Sequence, residues 1–409
     1  MPNTLSRRAF ARGAAASGLA AATVRFGAAR AAGAPPLKIG GLLPTSGFLA
    51  LIGQACQRGR ELALPILNGM GYSIELMNAD TESDTERART QAERLIREGA
   101  QVLLGAFESG QTLVISQVAE QHGIPFVIDI GSEPTITERG FKYVFRNFPT
   151  SGLLASNGLN RINDIFQAAG KTPQSAVLMH VNDTFGQSMR KAIDSFEEGG
   201  KLPFKIKDKI AYDPQAKDLS IEVAKAKAAG AELHLVVTRL NDAILMVREM
   251  VKQRYETMGI VSPGSPGMYD RQFLKVLGKY GNYQITNVPW LDRKQALTLE
   301  LERAFYKAYP NESFDLNAGF SFEGMLICAD AYKRAGSAKP DALAAALRQT
   351  SLSQRVMIGG PIHFNEKGQN PDQISAAVQN LDGKPVAVLP AASADAKLVF
   401  PQPAWTQRG

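Results

Sequence analysis

The chain has 409 residues, enough for two or three domains, and its 44% apolar and 21% charged residues exclude a disordered or fibrous protein. The net charge is +7, but residues 1–31 hold five arginines and no acidic residue, so the remainder is near neutral and predicts no nucleic-acid partner. Two cysteines, Cys56 and Cys328, are too few for a disulfide scaffold or a cysteine zinc site.

The first 31 residues have the order of an export signal. Arg7 and Arg8 form a twin-arginine pair followed by Phe10, a weakly apolar run occupies residues 13–24, and residues 29–31 fit a small-x-small cleavage site. The run is too short to cross a bilayer. We predict a Tat-type signal peptide and a mature protein in the periplasm; the alternative is a disordered or amphipathic N-terminal arm.

Short apolar, β-branched segments alternate with longer amphipathic ones along the body of the chain. This order predicts an α/β fold of parallel, doubly wound sheets with helices on both faces. The predicted strands are residues 37–43, 72–77, 102–106, 126–130, 175–181, 233–237 and 285–288.

The clearest helix is predicted over residues 84–98. Asp84 is a suitable N-cap, Ala92 and Leu95 fall on one face, and Gly99 ends the helix. The following strand and this helix end, residues 97–104, are echoed at residues 228–235, which predicts two similar α/β lobes. A chance match is the alternative.

The C-terminal part differs in pattern. Residues 358–364, 374–381 and 384–389 are predicted strands separated by turns at 365–368 and 382–383. Residues 391–409 are rich in alanine and proline and predict an irregular tail.

Loops that follow the predicted strands contain the candidate site. Ligands bind beyond the carboxyl ends of strands in open α/β sheets. These loops include Thr45, Ser109, Ser132 and Phe185 and are rich in hydroxyl and small residues. Such groups suit hydrogen bonding to a small polar or anionic ligand, although Ser109 and Ser132 could each be only turn or N-cap residues.

Arg239 comes almost directly after the buried run at residues 233–237. A guanidinium in that place can bind a carboxylate through two hydrogen bonds. The alternative is a structural ion pair with Asp242 or Glu108.

No enzyme motif is complete. Ile165 stands where the first glycine of a P-loop should be, and Phe107 stands where a nucleophile elbow around Ser109 requires glycine. Metal-ligand spacing is absent among the histidines, which are His122, His180, His234 and His363. We therefore expect a protein without catalysis, cofactor or metal.

An ordered set of short segments carries a family resemblance. The segments are residues 37–47 (LKIGGLLPTSG), 68–69 (NG), Asp80, 105–109 (GAFES), 123–126 (GIPF), 145–147 (FRN), 183–186 (DTFG) and 359–368 (GGPIHFNEKG). Over roughly residues 37–390 the chain resembles type I periplasmic binding proteins of the branched-chain amino-acid (Leu/Ile/Val) class, the solute receptors of ABC importers.

The resemblance implies two Rossmann-like lobes joined by three crossings, with the ligand buried in the cleft when the lobes close. The implied crossings lie near residues 147–150, 285–289 and 361–364. The N-terminal lobe would comprise residues 37–148 and 288–362, and the C-terminal lobe residues 149–287 and 363–390. The implied partners are ABC transporter permease subunits, and we expect a monomer.

The resemblance also implies a ligand site. In relatives that bind amino acids, first-lobe hydroxyl and backbone groups hold the ligand carboxylate, and the matching positions are Ser109, Ser132 and the backbone of Ile130. An acidic second-lobe residue holds the ammonium group, but Gly264 occupies the matching position. Ile52 replaces a first-lobe aromatic residue.

Phe185 occurs where many relatives have tyrosine, and Arg239 replaces an uncharged pocket residue. An ammonium group buried without its acid would cost several kcal/mol. We therefore expect a small organic carboxylate with an apolar or aromatic body, its polar end held by Arg239 and the serines. The alternatives are a branched-chain amino acid, an amide or urea, and a sensor module for a membrane signalling protein.

Overall fold

The computed structural model describes residues 35–408, so the predicted signal peptide lies outside the described residues. Within this range the strands are β1 (Leu37–Leu43), β2 (Ile74–Asp80), β3 (Val102–Gly105), β4 (Phe126–Ile128), β5 (Val144–Arg146), β6 (Ser175–Val181), β7 (Lys205–Tyr212), β8 (Leu233–Val237), β9 (Gly259–Ser262), β10 (Ile285–Val288), β11 (Ser351–Leu352), β12 (Ile362–His363), β13 (Ala376–Leu381) and β14 (Lys384–Leu389). The α-helices are α1 (Ala50–Gly69), α2 (Thr85–Arg97), α3 (Ser109–His122), α4 (Thr135–Glu138), α5 (Ser151–Ala169), α6 (Thr184–Glu198), α7 (Ser220–Ala228), α8 (Leu240–Lys252), α9 (Arg271–Leu277), α10 (Ala296–Ala308), α11 (Leu316–Ala335) and α12 (Pro340–Arg348).

Two large sheets define two lobes. In the part of the chain that the structure describes, the first sheet has five parallel strands in the order β2-β1-β3-β4-β5. The second has seven strands in the order β14-β13-β10-β9-β8-β6-β7, in which β13 runs antiparallel to both of its neighbours, β10 and β14. Its parallel part, β7-β6-β8-β9-β10, repeats the strand order of the first sheet. The prediction of a two-lobed α/β fold is therefore confirmed.

The sequence echo has a structural counterpart. Residues 97–104 lead from α2 into β3, and residues 228–235 lead from α7 into β8, which occupies the equivalent place in its own sheet. The intervening glycines, Gly99 and Gly230, both have a positive φ, at 94° and 58°. Glycine adopts this conformation without steric cost, which explains why both turns use it.

Local signals located several elements well. The predicted strands at residues 37–43, 175–181, 233–237, 285–288 and 384–389 agree with the structure to the residue. Asp84 caps α2 as predicted, since its side chain accepts a hydrogen bond of 2.7 Å from the Arg87 backbone N–H. The predicted strand at 72–77 instead spans Ile74–Asp80. β7 was missed because it is an edge strand with several exposed charged residues.

The chain passes between the lobes three times. The first passage joins β5 to α5, and the second follows β10, whose residues still belong to the second sheet. The third lies later than the predicted 361–364. The Arg146 backbone N–H donates to the Gly368 carbonyl at 2.7 Å, and the Asn370 N–H donates to the Arg146 carbonyl at 2.9 Å. These bonds hold residues 365–370 beside β5, so residues 363–370 lie with the first lobe.

A buried polar network lies where the passages meet. The Asn147 side-chain amide donates to Glu323 at 2.7 Å and accepts from the Asn370 amide at 2.9 Å. Arg355 donates to Gln373 at 3.1 Å and lies 3.4 Å from the Glu323 carboxylate. All five side chains are buried. Because buried polar groups are costly unless partnered, this network fixes the relative path of the crossings.

The segment after β14 is irregular, as predicted, but it packs on the second lobe. The Trp405 indole N–H donates to the Tyr255 carbonyl at 2.8 Å, and the Arg408 guanidinium lies 3.8 Å from the Trp405 ring centre. The Gln402 N–H donates to the Met258 carbonyl at 2.8 Å.

Both cysteines are buried free thiols, Cys56 in α1 and Cys328 in α11. Burial raises the pKa of each thiol, so both are neutral packing residues. Among the described residues, no helix combines the length and apolarity needed to cross a membrane.

Candidate functional site

A cavity lies between the lobes at the carboxyl ends of the central strands, where ligands bind in folds with this strand order. The space between its walls, including the solvent at its mouth, is about 430 Å³. Its lining is mostly apolar, with a few hydroxyl and amide groups and one charged side chain among the described residues. The lining residues are Phe107, Ser109, Ile130, Ser132, Phe148, Leu154, Phe185, Arg239, Gly264, Pro266, Tyr269, Val288, Leu316 and Asn317.

The first lobe contributes hydroxyl groups at the ends of β3 and β4. Ser109 is the first residue of α3, whose N-cap Glu108 accepts a hydrogen bond of 2.9 Å from the Gln111 N–H. The Ser132 N–H donates to the Ser109 hydroxyl at 3.3 Å, and the Ser132 and Ser151 hydroxyls are 3.1 Å apart. Both cavity serines therefore lie near the positive end of a helix dipole, a place suited to an anion.

The second lobe contributes Arg239, the N-cap of α8. Its side chain is buried, and its guanidinium lies 5.2 Å from the Phe185 ring centre. One terminal nitrogen pairs with the Asp183 carboxylate, and the other lies 3.7 Å from the Glu108 carboxylate. The Nε–H has no hydrogen-bond partner. Burial alone would lower the pKa of Arg239, but the carboxylates of Asp183, Glu108 and Asp242 raise it overall, so the group stays charged.

Arg239 joins the two lobes, because Glu108 belongs to the first and Asp183 to the second. Burial raises the pKa of Glu108, although the Arg239 charge opposes that shift. Asp242, one of the alternative partners considered from the sequence, contacts the Arg239 backbone N–H at 2.8 Å and not the guanidinium. The guanidinium thus both lines the cavity and forms an ion pair with Glu108. Asp183 was not predicted as its partner, although it lies two residues after β6 and strand ends were the signal used.

The loop after β9 forms another wall. Gly264 has φ 152°, and a Cβ there would lie 2.5 Å from the Leu154 side chain. No acidic side chain fits this position. The loop itself rests on α5, because a Cβ at Gly158 would lie 1.8 Å from the Pro263 carbonyl oxygen. Gly158 therefore permits close contact between helix and loop.

Most residues predicted for the site come together, but two do not. The cavity brings together Ser109, Ile130, Ser132, Phe185, Arg239 and Gly264. Thr45 lies outside it, with its backbone N–H donating to Asp80 at 2.9 Å. Ile52 lines a smaller neighbouring cavity beside Arg239 and Asp242. Ile52 lies there because the rotation of α1, which packing determines, turns its first turn toward that neighbouring space, whereas Thr45 lies in the loop before α1.

Sequence reasoning missed much of the lining. Tyr269 precedes α9 and Asn317 lies in the first turn of α11, and both lie in segments where no element had been predicted. The N-cap pattern at Asp315 was an available signal, since its side chain accepts from the Asn317 N–H at 2.9 Å. Within the described residues no group of three or more His, Cys, Asp or Glu is placed to hold a metal ion.

Comparison with known proteins gives a consistent picture. A family model described as periplasmic binding protein matches residues 36–384. The Leu/Ile/Val-binding protein homolog 8 of Brucella suis biovar 1 (strain 1330) is 26% identical over 403 residues, covering 94% of this chain and 96% of the relative. Homolog 7 of the same strain is 27% identical over 397 residues, covering 92% and 98%.

Solved structures share the fold. An ABC-transporter solute-binding protein from R. palustris in complex with benzoate superposes with a TM-score of 0.74 at 23% identity, covering 88% of this chain and 98% of the other. LivJ from Streptococcus pneumoniae in complex with isoleucine gives a TM-score of 0.74 at 18% identity, covering 90% and 100%. At these identities the structures establish the architecture.

Proposed function

The chain belongs to the periplasmic binding protein family, and from this premise we propose that it is the solute receptor of an ABC importer and binds a small organic carboxylate that lacks an amine. The ligand occupies the cavity between the lobes. Arg239 and the serines at positions 109 and 132 hold its carboxylate.

One observation carries this proposal. Among the described residues that line the cavity, Arg239 has the only charged side chain, and it is a cation. An amino acid would bring an ammonium group to a wall where Gly264 leaves no space for a carboxylate. A buried ammonium without a counter-ion costs several kcal/mol, which favours ligands without one.

Arg239 retains hydrogen-bonding capacity for the ligand. Its Nε–H has no partner, and the 3.7 Å between its second terminal nitrogen and Glu108 exceeds a hydrogen-bond distance. Two donors on one edge of a guanidinium can bind a carboxylate. Asp183 and Glu108 then serve to orient the guanidinium from outside the lining.

The remaining walls favour an apolar or aromatic ligand body. Phe107, Phe148, Phe185, Leu154 and Leu316 contribute buried hydrocarbon surface to the cavity. Contact with such surface stabilises aromatic and branched aliphatic groups through the hydrophobic effect. A protein of the same fold binds benzoate, which supports a ligand of this size and charge.

A branched-chain amino acid is the second candidate. The names of the Brucella relatives and the isoleucine complex of LivJ favour it. Against it stands the absence of an acidic side chain from the described cavity lining. An amide ligand is neutral and would bring no negative charge to Arg239.

The proposed role includes the surroundings of the protein. We assign residues 1–31 to a Tat-type signal peptide, the mature chain to the periplasm as a monomer, and the docking partner to the permease subunits of the importer. A receptor for a membrane signalling protein would use the same closing lobes. Transport of the ligand by cells that carry the permease genes, lost on deletion of this gene, distinguishes the two roles.

Matched ligand pairs test the binding function. The protein is unfolded in guanidinium chloride and refolded to release any carried ligand, then titrated calorimetrically with benzoate, benzamide, leucine and 4-methyl-2-oxopentanoate. We expect at least one carboxylate without an amine to bind about 100-fold more tightly than the other member of its pair. The other member either lacks a buried charge contact with the protein or carries a charge that has no partner. Leucine binding more tightly than its oxo acid would contradict the proposal, and equal binding of benzamide and benzoate would indicate an amide receptor.

A further inference from the structure

Two buried polar atoms in the cavity wall have no hydrogen-bond partner: the Tyr269 hydroxyl and the Asn317 side-chain oxygen. Both residues are 1% exposed and both line the cavity. They come from different lobes, Tyr269 from the loop after β9 and Asn317 from the first turn of α11. Buried polar groups in folded proteins are nearly always partnered, so two such atoms in one cavity indicate that a ligand completes them.

The orientation of the Asn317 amide is fixed by its neighbour. Its nitrogen donates to the Asp315 carboxylate at 3.3 Å, which leaves the oxygen as a free acceptor. Burial raises the pKa of Tyr269 well above its usual range, so its hydroxyl is neutral and can donate or accept. Asn317 lies near that hydroxyl, but the two atoms do not meet with hydrogen-bond geometry.

This polar pair is distinct from the Arg239 group. The acidic neighbours of Tyr269 are Asp315 and Asp270, whereas those of Arg239 are Asp183, Glu108 and Asp242. Asp270 and Asp315 line a separate outer cavity of about 880 Å³, while Asp242 lines the small cavity next to Arg239. The Tyr269 and Asn317 groups and the Arg239 group therefore have different charged neighbours within the lining of one cavity.

We propose that the ligand is a hydroxy-substituted carboxylate, whose hydroxyl lies remote from the carboxylate and binds between Tyr269 and Asn317. The hydroxyl donates to the Asn317 oxygen and accepts from the Tyr269 hydroxyl, so both unpartnered atoms are satisfied. Phe107, Phe148 and Phe185 make a hydroxyaryl carboxylate the best fit. This inference rests on the proposed carboxylate-binding function.

Hydroxybenzoates provide the test. Calorimetric titration of the refolded protein compares benzoate with 3-hydroxybenzoate, 4-hydroxybenzoate and 4-methylbenzoate, the last being an isostere of the 4-hydroxy compound. We expect one hydroxybenzoate to bind about tenfold more tightly than benzoate, and 4-methylbenzoate not to share this gain. Tyr269→Phe and Asn317→Leu should each remove the preference, so that the hydroxybenzoate binds to the variant no more tightly than benzoate binds to the same variant.

Two measurements show whether a lost preference for the hydroxybenzoate reflects the proposed hydroxyl site and not a disturbed fold. Tyr269→Phe removes an unpartnered buried hydroxyl, so the melting temperature without ligand should be unchanged or higher. Tyr306→Phe, which changes an exposed tyrosine, should keep the hydroxybenzoate preference.

The outcomes separate this inference from the function on which it rests. Equal binding of benzoate and both hydroxybenzoates, or a preference that persists in Tyr269→Phe and Asn317→Leu, would overturn the hydroxyl site alone. Binding of leucine with no binding of any benzoate or oxo acid would overturn the proposed function, and the hydroxyl site with it.

Discussion

The two lobes share one strand order but bring different chemistry to the cavity between them. The first lobe supplies neutral hydroxyl groups, Ser109 and Ser132, at the N-terminal end of a helix. The second supplies a cation, Arg239, at the end of β8, and Asp183 near the end of β6 pairs with it from outside the lining. Because the sheets are equivalent and the loops are not, the scaffold sets where a ligand binds and the loop residues set what kind of ligand it is.

The lobes also differ in how their polar groups are held. The first-lobe serines bond to neighbouring residues, and Ser132 reaches Ser151 at the first crossing. Arg239 instead reaches across the cleft to Glu108. The hydroxyl side therefore has one bond within its own lobe and one neutral contact with α5 of the second lobe, whereas the charged side reaches a carboxylate of the other lobe.

The largest expected effect comes from the charged side. Arg239→Ala should weaken binding of the carboxylate ligand by about 3 kcal/mol, roughly 100-fold, because the ligand loses its counter-ion and two carboxylates are left without a cation. Calorimetry with the carboxylate that binds in the ligand panel measures this, alongside a thermal melt that checks folding. Arg248→Ala, an exposed arginine on the same helix, is the matched control. Unchanged affinity in Arg239→Ala would remove the residue from the site and reduce the difference between the lobes.

A pH experiment tests whether the lobes also differ in stability. Burial lowers the pKa of His234 in β8 to about 3, so the folded second lobe keeps this imidazole neutral. As pH falls below about 6.5, only the unfolded chain takes up the proton, and stability should fall by about 1.4 kcal/mol per pH unit, or roughly 2 kcal/mol at pH 5. Urea unfolding at pH 7 and pH 5 should therefore show a smaller acid loss for His234→Gln than for the wild type.

A control variant tests the pH dependence expected from His234. His122→Gln changes an exposed histidine and should behave as the wild type. Equal acid losses of stability for His234→Gln and the wild type would refute the prediction.

The pH dependence of stability that is expected from Asp315 in the first lobe has the opposite sign. Its burial raises its pKa from 3.8 to about 7, so its protonated form favours folding and that contribution is lost as pH rises through this window.

The smallest effect is expected on the hydroxyl side. Ser132→Ala removes one neutral donor and should weaken carboxylate binding by about 1 kcal/mol, roughly fivefold. The same calorimetric titration measures it, with Ser195→Ala, an exposed serine of α6, as control. A loss as large as that of Arg239→Ala would show that the hydroxyl side contributes as much as the charged side.

Local sequence signals predicted the parts of the site that depend on strand ends. Ser109, Ser132 and Arg239 each follow a buried apolar run closely, so periodicity alone located them. Tyr269 and Asn317 could not be found in this way, because they meet only after the two lobes pack across the cleft. Ile52 lies at a neighbouring cavity for a related reason, since the face that α1 turns toward the lobe junction depends on its packing.

The predictions of the fold divide in the same way, between features set by local sequence and features set by contacts between distant residues. The apolar strand β1 was predicted to the residue, because its hydrophobic run is bounded by turn residues. β7 was not predicted because its composition resembles that of a charged loop. Its pairing with β6 is what makes it a strand. The third crossing was placed too early because hydrogen bonds between β5 and residues 368–370, distant in sequence, hold that segment with the first lobe.

The close contact between Gly158 and Pro263 couples the position of helix α5 to that of the loop after β9. The helix starts beside the first crossing, and at 1.5 Å per residue Gly158 lies about 10 Å from that pivot. With no side chain between helix and loop, a tilt of about 10° would carry the loop at Gly264 by about 2 Å. A hinge rotation of the second lobe about the first crossing would therefore move this part of the cavity wall by a similar distance.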